Sequence, residues 1–297
     1  MPEAPLHERV IAWYDQNARD LPWRRPGTTP WEVMVSEFML QQTQVDRVRP
    51  AYGAWLDRWP TPADLARVTP GDAVRQWGRL GYPRRALRLH AAAAAMVERH
   101  HGEVPSSYDG LRALPGIGDY TAAAVMAFAF GGRHAVLDTN VRRVLGRLVG
   151  GEALPRPAVT AHERERAESL LPPDPLAPRW AVATMELGAL VCTARAPRCT
   201  ACPVADRCVW RRAGAPPYDG PARSSQGYDG TDRQARGRLL GVLRDAPEPV
   251  SGPELAAAWP EHAQHARALA SLVADGLVNA LADDRYGLPV RMSPESS

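Results

Sequence analysis

Residues 111–147 read LRALPGIGDYTAAAVMAFAFGGRHAVLDTNVRRVLGR. A polar-edged helix is predicted to end at Leu114-Pro115-Gly116-Ile117-Gly118, and a second helix of small apolar residues to start at Asp119 or Tyr120. Glycine at 116 and 118 frees the backbone for a sharp turn and a close approach. The unpaired N–H groups that open the second helix then form a cradle for an anion, phosphate above all. Two helices joined in this way suit a hairpin that grips one DNA strand by its backbone.

Further along, Val136-Leu137-Asp138-Thr139-Asn140-Val141 sets a carboxylate between apolar neighbours, at the predicted start of a helix whose apolar positions are Val141, Val144, Leu145 and Leu148. An acid there caps the helix and is expected to stay ionised.

The 297 residues are 45% apolar and 23% charged with a net charge of +3, which describes a soluble globular chain with room for one large domain or two. No signal peptide and no membrane span is read in the sequence, so no membrane partner is expected and the expected location is the cytoplasm, on the nucleoid of a bacterium. The charge balance is compatible with a polyanion partner. All 36 basic residues are arginine. No lysine side chain therefore exists to form a Schiff base with an opened sugar.

The four cysteines, Cys192, Cys199, Cys202 and Cys208, follow the spacing C-x6-C-x2-C-x5-C, and the rest of the chain has none. A tight cluster of thiols binds metal more readily than it closes disulfide loops. Tetrahedral zinc and a [4Fe–4S] cluster both accept four thiolates, and both stay open at this point.

Near the start, HERVIAWYDQNA (residues 7–18) is predicted to be a helix, followed by Arg19-Asp20-Leu21-Pro22-Trp23-Arg24 and a Gly/Thr/Pro loop. WEVMVSEFMLQQTQ (residues 31–44) is predicted to form one apolar-rich helix on which Glu32, Ser36 and Thr43 share a polar stripe. Glu37 lies off that stripe, about 240° around from Trp31 at about 100° per residue, bracketed by Val33, Met34 and Leu40. Burial there would raise its carboxyl pKa and keep a proton available near neutral pH, as a general acid requires. Glu37 and Asp138 thus have opposite predicted environments, the arrangement that assigns one carboxyl as acid and the other as anion. Hydrolysis of an N-glycosidic bond needs both, a proton on the departing base and a negative charge beside an oxocarbenium-like sugar. No phosphate-transfer motif and no Ser/His/Asp pattern competes with this pair.

In chain order, Arg19 to Trp23, Ser36 to Val45, Gly81-Tyr82, Leu114 to Gly118, Asp138-x-Asn140-Val141, Glu186-Leu187-Gly188-Ala189 and the four cysteines resemble the helix-hairpin-helix-GPD family of DNA glycosylases, and within it the adenine branch. The resemblance covers residues 7 to about 212. It implies an all-α, two-domain enzyme: a six-helix barrel of residues 24–134 with the helix-hairpin-helix, an iron–sulfur domain of residues 1–23 and 135–212, and catalysis in the cleft between them. The unequal cysteine spacing resembles the compact loop of the endonuclease III and adenine glycosylase branch, which implies a [4Fe–4S] cluster held by Cys192, Cys199, Cys202 and Cys208.

The implied partner is double-stranded DNA with adenine opposite 8-oxoguanine or guanine, bound by a monomer that flips the adenine out and excises it. By the same resemblance Glu37 protonates the adenine ring, Asp138 stabilises the cationic sugar and Asn140 helps orient water. Tyr120 stands where the bifunctional lyase branch has lysine, which implies a monofunctional enzyme that leaves an abasic site. Gln42 and Tyr82 would enter the stack around the base opposite the adenine, Arg19 and Trp23 would line the pocket, and Gly116 and Gly118 would meet the DNA backbone. Thr139, where Gly is usual, and Val182, where a polar pocket residue is often found, depart from the family pattern.

Residues 46–110 read as helices broken by proline turns, and Arg142, Arg143 and Arg147 read either as phosphate contacts or as a solvated helix face. Residues 213–231 are a Pro/Gly/Ser linker, and residues 232–297 resemble a winged-helix module in place of the longer, strand-rich Nudix-like domain that commonly helps the family recognise 8-oxoguanine. From Ser251 to Gly287 only Arg267 and Arg285 are basic, against Glu254, Glu261, Asp275, Asp283 and Asp284, so the module is expected to pack on the enzyme body or meet a protein. Two other functions share these features. A thymine or uracil mismatch glycosylase shares the hairpin, the cluster and the tyrosine, but Gln41-Gln42-Thr43-Gln44 favours adenine; a non-catalytic DNA-binding relative is disfavoured by the intact pair of Glu37 and Asp138.

Overall fold

The structure is a computed structural model that describes residues 5–221 and 227–290. In chain order its helices are α1 (Leu6–Asn17), α2 (Pro30–Leu40), α3 (Val45–Arg58), α4 (Pro62–Arg67), α5 (Pro70–Trp77), α6 (Arg84–Arg99), α7 (Tyr108–Arg112) and α8 (Asp119–Phe130). There follow α9 (Thr139–Leu145), α10 (Ala161–Ser169), α11 (Leu176–Leu190), α12 (Val209–Arg212), α13 (Asp232–Asp245), α14 (Gly252–Ala257) and α15 (His262–Ala274). Three short strands, β1 (Val250–Ser251), β2 (Asn279–Leu281) and β3 (Arg285–Gly287), and four short 3-10 or π turns accompany them among the described residues.

Hydroxyl residues set many of the helix starts. Thr61 and Thr69 each accept from the amide three residues on and are followed by Pro62 and Pro70, whose missing N–H is no loss in the first turn. Thr160 with Glu163 and Ser251 with Glu254 close full capping boxes. Helix α2 ends at Leu40, short of the predicted Gln44. Gln42 takes φ +54°, which no α-helix continues, and Gln44 is already the cap of α3. The predicted polar stripe is no solvated face either: Ser36 and Thr43 are buried, and α2 is buried nearly all round.

The chain forms two compact units. The first gathers the described residues of Met1–Val33, Ser106–Arg112 and Ile117–Arg223. Its core is Val10, Ile11, Val141, Val144, Leu145, Leu148, Trp180 and Leu187, so the periodic apolar positions after Asp138 bury as expected. Helix α11 packs on α9 and α1. A Cβ at Gly188 would stand 2.7 Å from the Asn140 Cβ, so glycine there lets α11 approach the start of α9. Helix α8 packs on α7 and α11 and belongs with this unit, a different division from a barrel running through residue 134.

The second unit gathers the described residues of Met34–Pro105, Ala113–Gly116 and Ser224–Ser297. Trp55 is fully buried, edge-on to Trp59 and Trp77 at 4.6 and 5.6 Å between ring centroids. The tail runs α13, β1, α14, α15, β2, β3 with an antiparallel sheet in the order β1-β3-β2, a winged-helix arrangement. It packs on α5: Arg75 Nη1 donates to the carbonyls of Arg244 (2.7 Å) and Ala246 (2.9 Å), and Arg244 Nε donates to Val74 O (3.1 Å). The Gly71 amide donates to Pro289 O over 2.7 Å, a contact so close that any Cβ at 71 would lie 2.6 Å from the same oxygen. No described helix is long and apolar enough to cross a membrane.

Candidate functional site

The hairpin forms where the Pro-Gly turn predicts it. Gly116 has φ +77°, and a Cβ there would stand 2.6 Å from the Arg88 Cβ, so its glycine is demanded from inside the protein. Gly118 is different: it has ordinary φ, and nothing lies within 4 Å of where its Cβ would be. It caps α8, a twelve-residue helix, and offers no side-chain hydrogen bond to the helix's first amides. Tyr120, one residue into that helix, lines a cleft of ≈ 440 Å³ with Tyr108, Asp119, His134, Leu137 and Arg164. Tyr108 stacks on His134 at 5.4 Å, and burial followed by the charge of Asp119 pushes its hydroxyl pKa up.

Asp138 is the cap of α9, as predicted. Its Oδ1 accepts from the Val141 amide (2.6 Å) and its Oδ2 from Asn140 Nδ2 (2.9 Å). The ionisation differs from the expectation that capping keeps this acid low. Burial is the largest influence and pushes its carboxyl pKa up, against the opposing pull of Val141, Asn140 and the Arg143 charge.

Arg142, Arg143 and Arg147 neither reach for phosphate nor form a solvated face; all three are buried. Arg142 Nε and Nη2 donate to both oxygens of Glu163, each at 3.0 Å. Arg143 Nη2 donates to Asn140 Oδ1 (2.7 Å) and Gly188 O (2.7 Å), and its Nε to Cys192 O (2.6 Å). Arg147 donates to Ala153 O, Thr193 O and the Cys192 sulfur, and lies over the Trp210 ring at 4.5 Å. Guanidinium suits this use because its five donors can satisfy several carbonyls while its flat face stacks.

Arg19 is held by Glu186 through Nε to Oε1 (2.7 Å) and Nη2 to Oε2 (2.9 Å), and Arg24 Nη1 adds a third bond to Oε2 at 2.7 Å. Burial alone would raise the Glu186 pKa; the two guanidiniums overcome it and hold the carboxyl at about 2. Trp23 is buried between these arginines in sequence. Neither Glu163 nor Glu186 stood out in the sequence as a buried carboxylate, since no spacing rule reaches partners this far apart in the chain.

In the second unit Glu37 is buried at 5% exposure, flanked in α2 by the fully buried Met34 and Phe38. Gln42 is exposed, and Tyr82 is 50% exposed with φ +46°. Two non-glycine residues in the left-handed region mark two turns held against their own preference. The first unit therefore holds Arg19, Trp23, Gly118, Tyr120, Asp138, Asn140 and the cysteines, and the second holds Glu37, Gln42, Tyr82 and Gly116.

The four cysteines line one small cavity together with Arg147, Val191 and Trp210. Among the described residues no three side chains converge tightly enough to hold a single metal ion. Four thiols around one cavity that do not meet at one point fit a polynuclear cluster better than tetrahedral zinc. Burial pushes the Cys202 thiol up to about 11, with the neighbouring thiols adding to it, and burial also raises Cys208. Thiolates here need the positive charge that cluster iron supplies.

A glycine-turn hairpin, a helix-capping aspartate behind it and a four-thiol loop define a helix-hairpin-helix DNA glycosylase with an iron–sulfur centre. Residues 35–169 match the HhH-GPD superfamily base excision DNA repair protein, and residues 192–208 match the iron-sulfur binding domain of endonuclease III. The adenine DNA glycosylase of Mycobacterium tuberculosis is 52% identical over 94% of this chain and 92% of its own. A thymine/uracil-DNA glycosylase of Pyrobaculum aerophilum is 36% identical over 69% of this chain and 91% of its own. The solved structure of a thermostable thymine-DNA glycosylase superposes with a TM-score of 0.61 at 25% identity, over 69% of this chain and 95% of its own. The chain belongs to the adenine DNA glycosylase family of this superfamily, a base excision DNA repair enzyme whose cofactor is a [4Fe–4S] cluster.

Proposed function

We propose that the enzyme takes double-stranded DNA in which adenine lies opposite 8-oxoguanine or guanine, flips the adenine out and hydrolyses its N-glycosidic bond without cutting the strand. The observation that carries this reading is the setting of Asp138. Both its oxygens are already held by donors, yet burial disfavours its charge in the free protein. A positive charge developing on the sugar relieves that cost, so the attraction is strongest at the transition state, where catalysis needs it.

Glu37, buried on α2, is the proton donor to the departing base, and Asn140 orients the water while it fixes Asp138. The amides that start α8 after Gly118, with the turn at Gly116, receive the DNA backbone. Gln42 and Tyr82 present side chains to the base opposite the adenine. Arg19 and Trp23 shape the base pocket, Arg19 from its anchored position on Glu186. Tyr120 opens α8 where an amine would make a lyase, and with no lysine in the chain the product is an abasic site. Cys192, Cys199, Cys202 and Cys208 ligate the cluster. The enzyme acts as a monomer, in the cytoplasm on the nucleoid.

The 52% identity to the mycobacterial adenine DNA glycosylase, against 36% to the thymine/uracil-DNA glycosylase, supports the adenine reading. The deciding assay uses duplexes with adenine, thymine or uracil opposite 8-oxoguanine or guanine, scored for base release with and without alkali. Adenine release, fastest opposite 8-oxoguanine and visible as a break only after alkali, is expected. Thymine or uracil release instead, or a break without alkali, would overturn the reading.

A further inference from the structure

Arg85 is buried at 4% exposure among carbonyl and hydroxyl acceptors, and its guanidinium is spent on two turns of the chain. On one side Nη1 donates to Phe38 O (2.8 Å) and Met39 O (2.9 Å) in the last turn of α2, and to Gln41 O (2.6 Å) just past its end. On the other side Nη2 donates to Gly81 O (3.0 Å), while the Arg85 amide donates to Tyr82 O (3.0 Å). Nη2 also donates to Thr43 Oγ1 at 2.9 Å, and that hydroxyl lies 3.3 Å from Gln41 O and 3.4 Å from Leu80 O, so it touches both turns as well. The flat face of the guanidinium lies over the rings of Trp77 (5.1 Å) and Tyr82 (5.6 Å). Trp77 in turn donates from Nε1 to Gly81 O over 3.0 Å.

The residues between and beside these bonds are Gln42 and Tyr82, and both are non-glycine residues at positive φ with exposed side chains. A left-handed residue without glycine's freedom persists only where its surroundings overdetermine it. One guanidinium overdetermines both. Burial lowers its pKa to about 10, which leaves it protonated near neutral pH and able to make every one of these bonds.

We infer that Arg85 is a positioning residue for lesion discrimination: it locks the turns of Gln42 and Tyr82 into one rigid pair, so that both side chains meet the base opposite the extruded adenine in a fixed relation. The inference rests on the proposed reading of Gln42 and Tyr82 as the groups that face that base. Lysine cannot substitute, because a compact ammonium reaches one turn at a time and has no face to lay over Tyr82.

The test measures the ratio of single-turnover adenine release opposite 8-oxoguanine to that opposite guanine, using the full-length, cluster-loaded enzyme. A purely structural defect lowers both rates together and leaves the ratio alone. Arg85→Lys is expected to lower the ratio tenfold or more; a ratio within twofold of the wild-type value in a folded variant overturns the inference. Should Arg85→Lys fail to fold, Thr43→Val removes one shared acceptor while the guanidinium stays, and a threefold or greater loss of ratio is expected, an unchanged one overturning the inference. Gln42→Ala with Tyr82→Ala separates the two levels of argument. If this double variant keeps the wild-type ratio, the opposite-base reading itself fails. If it loses the ratio and Arg85→Lys costs nothing further in that background, Arg85 acts through these two side chains. A further tenfold loss there would show that it acts through something else and would overturn the inference.

Discussion

Arg143 joins Asn140 to Cys192, donating from Nη2 to the amide oxygen of the first at 2.7 Å and from Nε to the carbonyl of the second at 2.6 Å. Asn140 in turn donates to Asp138 Oδ2. The carboxylate proposed to meet the sugar cation is therefore oriented by a side chain that is itself anchored on the cysteine loop. Asp138→Asn is expected to lower single-turnover adenine release by at least a thousandfold, about 4 kcal/mol of transition-state stabilisation, with duplex binding retained. The anion is the working form, so the acid limb of the rate should lie above the ordinary aspartate pKa of about 3.9 and flatten in the variant. A raised folded-state pKa means that folding favours the neutral carboxyl. That contribution to stability is full below the unfolded pKa and is lost as pH rises through the folded one. A pH–rate profile of wild type whose acid limb lies at or below that ordinary value would count against this assignment.

Glu37→Gln keeps the size of a side chain buried on a helix that is itself buried nearly all round, so the fold should survive it. The amide carries no transferable proton. Release of adenine should fall by about a hundredfold to ten-thousandfold, the range that general acid catalysis contributes. Near wild-type single-turnover rates would remove Glu37 from the reaction.

Glu186 offers a prediction that does not depend on turnover. Its side chain is fully buried between Arg19 and Arg24, and its pKa of about 2 lies below the ordinary glutamate value of about 4.3. A depressed carboxyl pKa contributes stability that is full above the unfolded value and disappears as pH falls through the folded one. Glu186→Gln should therefore destabilise the protein by roughly 3 kcal/mol at pH 7, since removing one partner strands two guanidiniums, and by far less near pH 2. Chemical denaturation of both proteins at the two pH values decides it.

What could be read from the sequence was what is local. The Pro-Gly turn and the Asp138 cap depend on residues within three or four positions, and they formed where expected. The buried arginines were hidden because their partners are carbonyls far away in the chain: 49 positions separate Arg143 from Cys192, and 47 separate Arg85 from Phe38. Helical periodicity placed Glu37 inside correctly, yet it also placed Ser36 and Thr43 outside, because it assumes a solvated face that α2 does not have. The rise in the Asp138 pKa was hidden for a related reason. Capping is a property of four residues, whereas burial is set by everything packed around them.

The tail is expected to brace α5 and to leave DNA affinity alone. Four of its described arginines are engaged close at hand: Arg236 with Asp275 at 2.6 Å, Arg267 with Asp232 at 3.3 Å, Arg285 on Pro249 O at 2.7 Å, and Arg244 on Val74 O. A cation that already holds a carboxylate releases little counterion when it meets phosphate, so it adds little to the salt dependence of binding. The bonds from Arg75 and Gly71 to the tail, by contrast, would all be lost with it, leaving α5 with exposed apolar surface and unpaired donors. Deletion of residues 226–297 in the Asp138→Asn background should therefore lower the melting temperature while the slope of log affinity against log salt, measured on an 8-oxoguanine duplex, stays as it was. Each phosphate contact contributes about 0.9 to that slope on duplex DNA, so a slope shallower by about two would reveal two or more contacts from the tail and make it a DNA-binding element. An unchanged slope together with an unchanged melting temperature would leave the tail neither role and contradict the brace at Arg75.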